Sequence, residues 1–226
     1  MAQIARDKIT IMQATPATWW LLLESGWEVE ETLKILCGGE ALDPVLAQEL
    51  LPRCRELWNM YGPTETTIWS GALRIGADDL KDNIVPIGGP IDNTQFYILD
   101  TQQQPVPIGV PGELHIGGVG LSPGYWNRPD LTKEKFIHTP AEKVGSAPPS
   151  PFPPSPLYKT GDLARYRPNG TLEYLGRLDH QIKLRGFRIE LGDIETALTQ
   201  HPEIDQALVV LWQTASDEPL LVAYCN

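Results

Sequence analysis

Cysteine is scarce. Cys37, Cys54 and Cys225 stand far apart, with no spacing that would hold a metal. A disulfide framework or a structural zinc site needs more thiols at closer intervals, so reduced thiols in a cytoplasmic protein are expected. Positive charge is also short: 18 Lys and Arg against 29 Asp and Glu leave a formal charge of −11. Nucleic-acid binders draw affinity from a basic surface, which excludes that class as a general function. No apolar run approaches the roughly 20 residues of a membrane span, so no membrane partner is expected. The opening Met1-Ala-Gln-Ile-Ala-Arg-Asp-Lys8 has no apolar stretch before a small-residue cleavage site, so it is not expected to be a signal peptide. The four histidines, His115, His138, His180 and His201, are scattered without metal or triad partners, and structural roles are expected for them.

What is present is an α/β pattern. Hydrophobic residues make up 42% of the chain, enough for a core. Ile9-Thr-Ile-Met-Gln13 reads as a buried strand, and Pro16 opens a helix to about Glu24. Leu33-Lys-Ile-Leu-Cys37 is a second strand ending in Gly38-Gly39. Asp43 caps the next helix, with Pro44 at its first position. Glu56-Leu-Trp-Asn59 is a third strand. The alternation predicts a parallel α/β layer to about residue 84, with ligand-binding loops after its strands. From about Val85 the pattern becomes short strands divided by turns: Gln95–Leu99, Gly112–Ile116, Leu163–Arg167 and Thr171–Leu175. These predict a small antiparallel barrel or sheet, with a hairpin turn at Pro168-Asn-Gly170. Ala141 to Pro156, rich in Pro, Ser and Ala, reads as a surface loop. After Asp179 a hairpin, a helix over 191–200 and strands at 206–211 and 220–224 predict a small α+β unit.

Three constellations carry chemistry. Asn59-Met-Tyr-Gly-Pro-Thr-Glu-Thr-Thr67 crowds hydroxyls, a carboxylate and backbone amides into one loop after a buried strand. Hydroxyls and amides hold phosphate oxygens, and a carboxylate can hold Mg²⁺ against them. The Gly-Pro-Thr loop alone would serve equally as a plain turn. In Tyr158-Lys-Thr-Gly-Asp162, Thr160-Gly-Asp162 ends a strand with an acceptor-only carboxylate able to take two ribose hydroxyls, although an isolated Gly-Asp is more often a turn. Gly176-Arg-Leu-Asp179 and Lys183-Leu-Arg-Gly-Phe-Arg-Ile-Glu190 add a guanidinium suited to offsetting phosphate charge. Gly117-Gly-Val-Gly-Leu-Ser-Pro-Gly124 lacks the spacing of a dinucleotide fingerprint.

Together these strings resemble the adenylate-forming enzymes, specifically the adenylation domains of nonribosomal peptide synthetases. The resemblance implies an ATP- and Mg²⁺-dependent ligase that makes an acyl-adenylate. It implies the C-terminal part of that family's large subdomain over 1–178, with the barrel region from about 85, and the start of a small subdomain over 179–226. Thr64, Glu65 and Arg177 would carry the chemistry, with Glu65 as the metal ligand. Gly39, Glu40, Asn59, Tyr61, Gly62, Thr64, Asp162, Tyr174 and Arg177 would meet the nucleotide. Asp179 would be the hinge between the subdomains. Lys183, Arg185 and Gly186 would face the site during thioester formation, although Lys183 and Arg185 suit a solvated strand face equally well. Tyr125-Trp-Asn-Arg-Pro129 marks the glycine-rich stretch before it as the family's structural turn.

By the same resemblance, Gln13, Leu36, Gly38, Met60, Ile68 and Trp69 would line the amino-acid pocket. The set looks like that of glycine-activating domains: large apolar groups fill the space a side chain would need. An ordinary packed core would use such residues too, and another small amino acid is the alternative. The expected partners are glycine, a peptidyl carrier protein with its phosphopantetheine thiol, and neighbouring synthetase domains. The family's phosphate loop, its anchor for the substrate amine and its catalytic lysine match nothing here. The chain is therefore expected to cover about the second half of such a domain, and to be inactive or weakly active alone. An acyl- or aryl-CoA ligase of the same fold, and a non-catalytic nucleotide-binding or interaction module, are the competing readings.

Overall fold

A computed structural model describes residues 4, 6–28, 30–82, 84–138, 156–179, 181–184, 186–213 and 219–226. They fall into two compact units, Met1–Gly176 and Arg177–Asn226.

In the first unit, strands β1 (Ile11–Ala14), β2 (Glu30–Gly38) and β3 (Cys54–Tyr61) run parallel in that order. Helix α1 (Pro16–Glu24) and helix α2 (Pro44–Leu50) connect them. Both helices begin as the sequence indicates. The Thr15 hydroxyl accepts from the Thr18 amide, and the Asp43 carboxylate accepts from Val45 at 2.5 Å and Leu46 at 3.3 Å. Each cap occupies donors that a helix start leaves unpaired, and the proline after it lacks the amide that would be orphaned.

Two strands not anticipated from the sequence extend this sheet. β4 (Gly71–Ile75) pairs antiparallel with β3, and β5 (Gly89–Pro90) pairs antiparallel with β4. Residues 62–70 are fewer than the dozen or so that a parallel crossover needs, so the chain must return antiparallel. The sheet has two unlike faces. Leu33, Ile35, Cys37 and Leu57 pack with Trp19, Leu46 and Leu50 into a core. A fully buried Leu or Ile contributes roughly 1.5–3 kcal/mol. The alternate residues Gln13, Leu36, Gly38, Trp58 and Met60 share the other face, because the register pairs Gln13 with Leu36, Leu36 with Trp58 and Gly38 with Met60.

An antiparallel sheet occupies the expected second region. Its order is β10 (Leu172–Arg177), β9 (Pro156–Tyr166), β7 (Gly112–Gly118) and β6 (Thr94–Leu99), with β8 (Phe136–His138) on β9. Helix α3 (Pro129–Lys135) precedes β8. Phe96, Ile98, Leu114, Ile116, Ala164 and Leu172 form its core together with Tyr61 and Ile87. A bridge from Gly88 to Leu172 ties the two sheets together. The hairpin at Pro168-Asn-Gly170 is present, with Gly170 at φ 84° and the Arg167 amide donating to the Thr171 carbonyl at 2.7 Å. Most of the Ala141–Pro156 segment lies outside the described residues; its last residue, Pro156, already belongs to β9.

The second unit contains the hairpin β11 (Gln181–Leu184) and β12 (Phe187–Glu190), helix α4 (Leu191–Leu198), and the antiparallel pair β13 (Ala207–Gln213) and β14 (Pro219–Cys225). The Val209 amide donates to Glu195 Oε1 at 2.8 Å, joining α4 to β13. Among the described residues, no helix is long and apolar enough to cross a membrane. The cysteines are unbridged: Cys37 is buried, Cys54 half-buried and Cys225 exposed. Burial pushes the Cys37 thiol up to about 12 and the Cys54 thiol up to about 11.

Candidate active site

The loop after β3 is where the chain puts most of its chemistry. A 3₁₀ turn, Thr64–Thr66, is closed by bonds from the Thr66 amide to Pro63 O and from the Thr67 amide to Thr64 O, each 3.1 Å. The Ser70 amide returns to Tyr61 O at 2.8 Å. Only a glycine fits at 62: a Cβ there would lie 2.4 Å from the Ile68 carbonyl oxygen. Thr67 and Ile68 are both left-handed, with φ 64° and 68°. Two successive β-branched residues in that region are strained, and such strain collects at functional loops.

Asn59, Tyr61, Gly62, Thr64 and Glu65 are thus brought together on one strand end and one turn. Asn59 is buried and donates from Nδ2 to Pro86 O at 2.8 Å. Thr64 is exposed, whereas Glu65 is buried. Glu65 Oε1 accepts from the Tyr125 hydroxyl at 2.5 Å. Burial, with the nearby Glu65 and Tyr158, pushes the Tyr125 phenol up.

Asp162 belongs to the same cluster. It lies on β9, is only 2% exposed, and accepts from the Tyr61 hydroxyl. Its amide donates to Thr160 Oγ1 at 2.9 Å, and that hydroxyl donates to Leu114 O at 2.7 Å. Gly161, between Thr160 and Asp162, is left-handed at φ 73°. Burial and the Asp162 charge hold the Tyr61 phenol well above its ordinary range. The Tyr61 ring stands edge-on to Phe96, with centroids 6.2 Å apart. Tyr174 lies on β10 of the same unit, half-buried against this second core. Gly39, at φ 91°, and Glu40 follow the end of β2.

The predicted pocket residues also converge. Gln13, Leu36, Gly38 and Met60 lie side by side on β1, β2 and β3. Trp69 reaches two of them. Its indole nitrogen donates to Gln13 Oε1 at 3.3 Å, and a Cβ at position 38 would lie 2.5 Å from its ring. Ile68 sits at the rim, 60% exposed.

The remaining predicted residues fall in the second unit. Arg177 grips Asp179 through two bonds, Nε to Oδ1 at 2.8 Å and Nη2 to Oδ2 at 2.5 Å. Asp179 Oδ1 also accepts from the Gln181 amide at 3.2 Å. Lys183 lies on β11 opposite Arg188, and Gly186 makes the hairpin turn at φ 80°. Arg185 and His180 lie outside the described residues.

A nucleotide with Mg²⁺ fits the first unit's donor set. Magnesium takes hard oxygen ligands, commonly one or two carboxylates plus substrate phosphates. Glu65 and the adjacent hydroxyl of Thr64 supply oxygens of that kind at the head of a turn. Among the described residues no group of three or more His, Cys, Asp or Glu forms a metal cage, so the phosphates would complete the shell.

Sequence comparison bears on the first half of this cluster. The profile of the AMP-binding enzyme family matches residues 1–126. The chain belongs to that family. Its relatives include a nonribosomal peptide synthase. It is 50% identical to the dimodular nonribosomal peptide synthase of Bacillus subtilis (strain 168), over 96% of this chain and 9% of the relative. It is 48% identical to malpinin synthetase of Mortierella alpina, over 80% of this chain and 2% of that protein. The chain thus spans a small fraction of the relatives' length.

Among solved structures it is similar to a four-domain nonribosomal peptide synthetase bound to AMP and glycine, at 47% identity and a TM-score of 0.68, covering 98% of this chain and 16% of that one. A second, with adenylation and carrier-protein domains bound to a vinylsulfonamide inhibitor, gives a TM-score of 0.85 at 28% identity, covering 99% and 38%. The mixed parallel and antiparallel α/β architecture of this AMP-binding family member is that of the adenylate-forming domains.

The cluster contains one group that sequence reasoning passed over. Tyr125 was expected only as part of a structural turn. Its place opposite Glu65 depends on a contact sixty positions apart in the chain, which no local pattern announces.

Proposed function

We propose that this chain is part of an amino-acid-activating domain that uses ATP to form an aminoacyl-adenylate, with glycine as the amino acid, for loading onto a carrier-protein thiol. The observation that carries the substrate reading is the position of Trp69. Its indole covers Gly38 and bonds to Gln13, so the space a substrate side chain would need is filled. Glycine has no group to recognise, and a site can select it only by excluding larger ones. The likeness to a synthetase bound to AMP and glycine supports this reading.

In the proposed roles, Thr64 reaches the phosphates and Asn59, Tyr61, Gly62, Gly39, Glu40 and Tyr174 surround the base. Asp162 takes the ribose hydroxyls, which requires its bond to Tyr61 to open or be shared. Glu65 holds Mg²⁺, which supplies charge neutralisation at the phosphates. Arg177 offsets phosphate charge in the state where it leaves Asp179, the proposed hinge. The test is pyrophosphate exchange by the whole domain containing this chain, against a panel of amino acids. Glycine should give the highest rate. A bulky amino acid preferred over glycine overturns the pocket reading, and acyl-CoA formation from a non-amino acid overturns the peptide-synthetase reading.

A further inference from the structure

The glycine-rich segment between β7 and α3 is more than a turn. It touches the Thr64–Thr67 loop at three successive places. Thr67 Oγ1 donates to Gly120 O at 2.7 Å, the Ser122 amide donates to Glu65 O at 2.8 Å, and the Tyr125 hydroxyl donates to Glu65 Oε1 at 2.5 Å. The first two bonds fix the backbone of the turn; the third reaches the carboxylate itself. A side chain at 120 would lie 3.0 Å from the Thr66 carbonyl oxygen, so the segment runs close against the loop.

Tyr125 is itself held from behind. Its amide donates to Thr132 Oγ1 at 2.9 Å, and Thr132 Oγ1 donates to the carbonyl of Arg128, the residue capping α3, at 2.8 Å. Gly124, at φ 130°, passes so close to Thr132 that a Cβ would lie 2.4 Å from its methyl group. The phenol ring stands edge-on to Phe136 with centroids 5.9 Å apart, and Phe136 lies 5.2 Å from Tyr158. The Phe136 contact on the ring and the Thr132 bond at the amide together limit the directions in which the hydroxyl can point.

From this geometry we infer that Tyr125 is a positioning residue for the metal-binding carboxylate: it pins Glu65 through one oxygen so that the group meets Mg²⁺ in a single orientation. An ionised carboxylate accepts at about four lone-pair sites, so one phenol bond does not exhaust it. A ligand whose rotamer is fixed by an outer partner binds metal more tightly, and loss of such partners typically costs 10–100-fold in affinity. The inference rests on Glu65 being the magnesium ligand, as proposed above.

The test uses the whole domain with ATP, and reads metal binding apart from turnover. Mn²⁺ binding in the presence of ATP is followed by electron paramagnetic resonance, and the half-saturating Mg²⁺ concentration is measured in pyrophosphate exchange. Tyr125→Phe keeps the ring and removes the hydroxyl. It should raise both metal concentrations about tenfold while leaving the maximal rate at saturating Mg²⁺ within about twofold. Glu65→Gln is the separate control on the underlying reading. If it leaves the metal dependence unchanged, Glu65 is no ligand and both readings fall. If Glu65→Gln weakens Mn²⁺ binding but Tyr125→Phe stays within twofold of wild type, the positioning role alone is overturned. Should Tyr125→Phe fail to fold, Thr132→Val, which removes the hydroxyl under the Tyr125 amide, carries the same threshold.

Discussion

At the scale of single residues, the loop after β3 holds atoms where ordinary chains avoid them. Ile68 is left-handed at φ 68° and 60% exposed, so it bears strain without much burial in return. A left-handed L-residue costs roughly 1–2 kcal/mol, and a glycine there loses roughly 0.5–1 kcal/mol to chain entropy. Ile68→Gly should therefore raise stability in urea by about 0.5 kcal/mol; a drop of comparable size would mean the isoleucine packs in a way its exposure hides. Asp162 shows the opposite economy, a buried carboxylate held by Tyr61 and its own strand. Asp162→Ala should weaken ATP and AMP binding by the whole domain. Each charge-assisted bond lost is worth roughly 1.5–3 kcal/mol. Unchanged affinity by calorimetry would remove Asp162 from the site. Trp69→Ala should relax selectivity from glycine toward alanine and larger substrates in pyrophosphate exchange. Trp69 is half-buried, so removing its indole should cost less than the roughly 3–5 kcal/mol of a fully buried aromatic, and a substrate side chain could recover part of that.

Between elements, β9 and β10 are fastened by Glu173. Its carboxylate is almost fully buried and accepts from Arg165 Nε at 2.5 Å and Arg167 Nε at 2.6 Å, while Arg167 also donates to Ile84 O at 3.1 Å. Desolvation works against the charge, but the two guanidinium groups win and hold the Glu173 carboxyl below its ordinary range. A carboxyl depressed in the folded state contributes stability that is present above its unfolded pKa, near 4.3. That contribution is lost as pH falls below this value through the folded one. Urea midpoints should thus decline as pH falls below about 4.3 in the wild type, and less steeply in Glu173→Gln. The variant should be less stable at pH 7 by about 3 kcal/mol, as expected when one partner of a buried pair is removed. Parallel slopes for the two proteins would show that another carboxyl governs acid unfolding. Elements of this kind were unevenly legible in the sequence. Asp43-Pro44 and Pro168-Asn-Gly170 named their structures because caps and turns depend on adjacent residues. β4 was missed because Gly71–Ile75 is short and its partner is set by the loop before it. β9 is continuous where the sequence reads as one strand ending at Asp162 and another starting at Leu163, since the left-handed Gly161 interrupts the pattern in mid-strand. α3 was passed over although Pro129 sits at its first turn. The pocket set was placed by resemblance. The register of three parallel strands then put four of its members side by side, an arrangement that no single window of sequence contains.

At the scale of the whole molecule, the residues around the unit boundary at Arg177 do two things at once. Asp179 fixes Arg177 in a two-pronged ion pair and receives the amide that opens β11. If Asp179 is the hinge, Asp179→Pro, which fixes φ near −65°, should impair adenylation and thioester formation unequally in the whole domain. Asp179→Asn, which keeps the backbone free, should disturb the two half-reactions more evenly. Equal losses in both variants would contradict the hinge. The distribution of thiols offers a way to watch such a motion. At pH 8 a thiol raised to about 12, like Cys37, is ionised in about one molecule in ten thousand, and Cys54 in about one in a thousand. Cys225, on the last strand of the second unit, is exposed. A maleimide dye should therefore couple at one position per chain without any cysteine being removed, and its fluorescence would report the environment of the smaller unit alone.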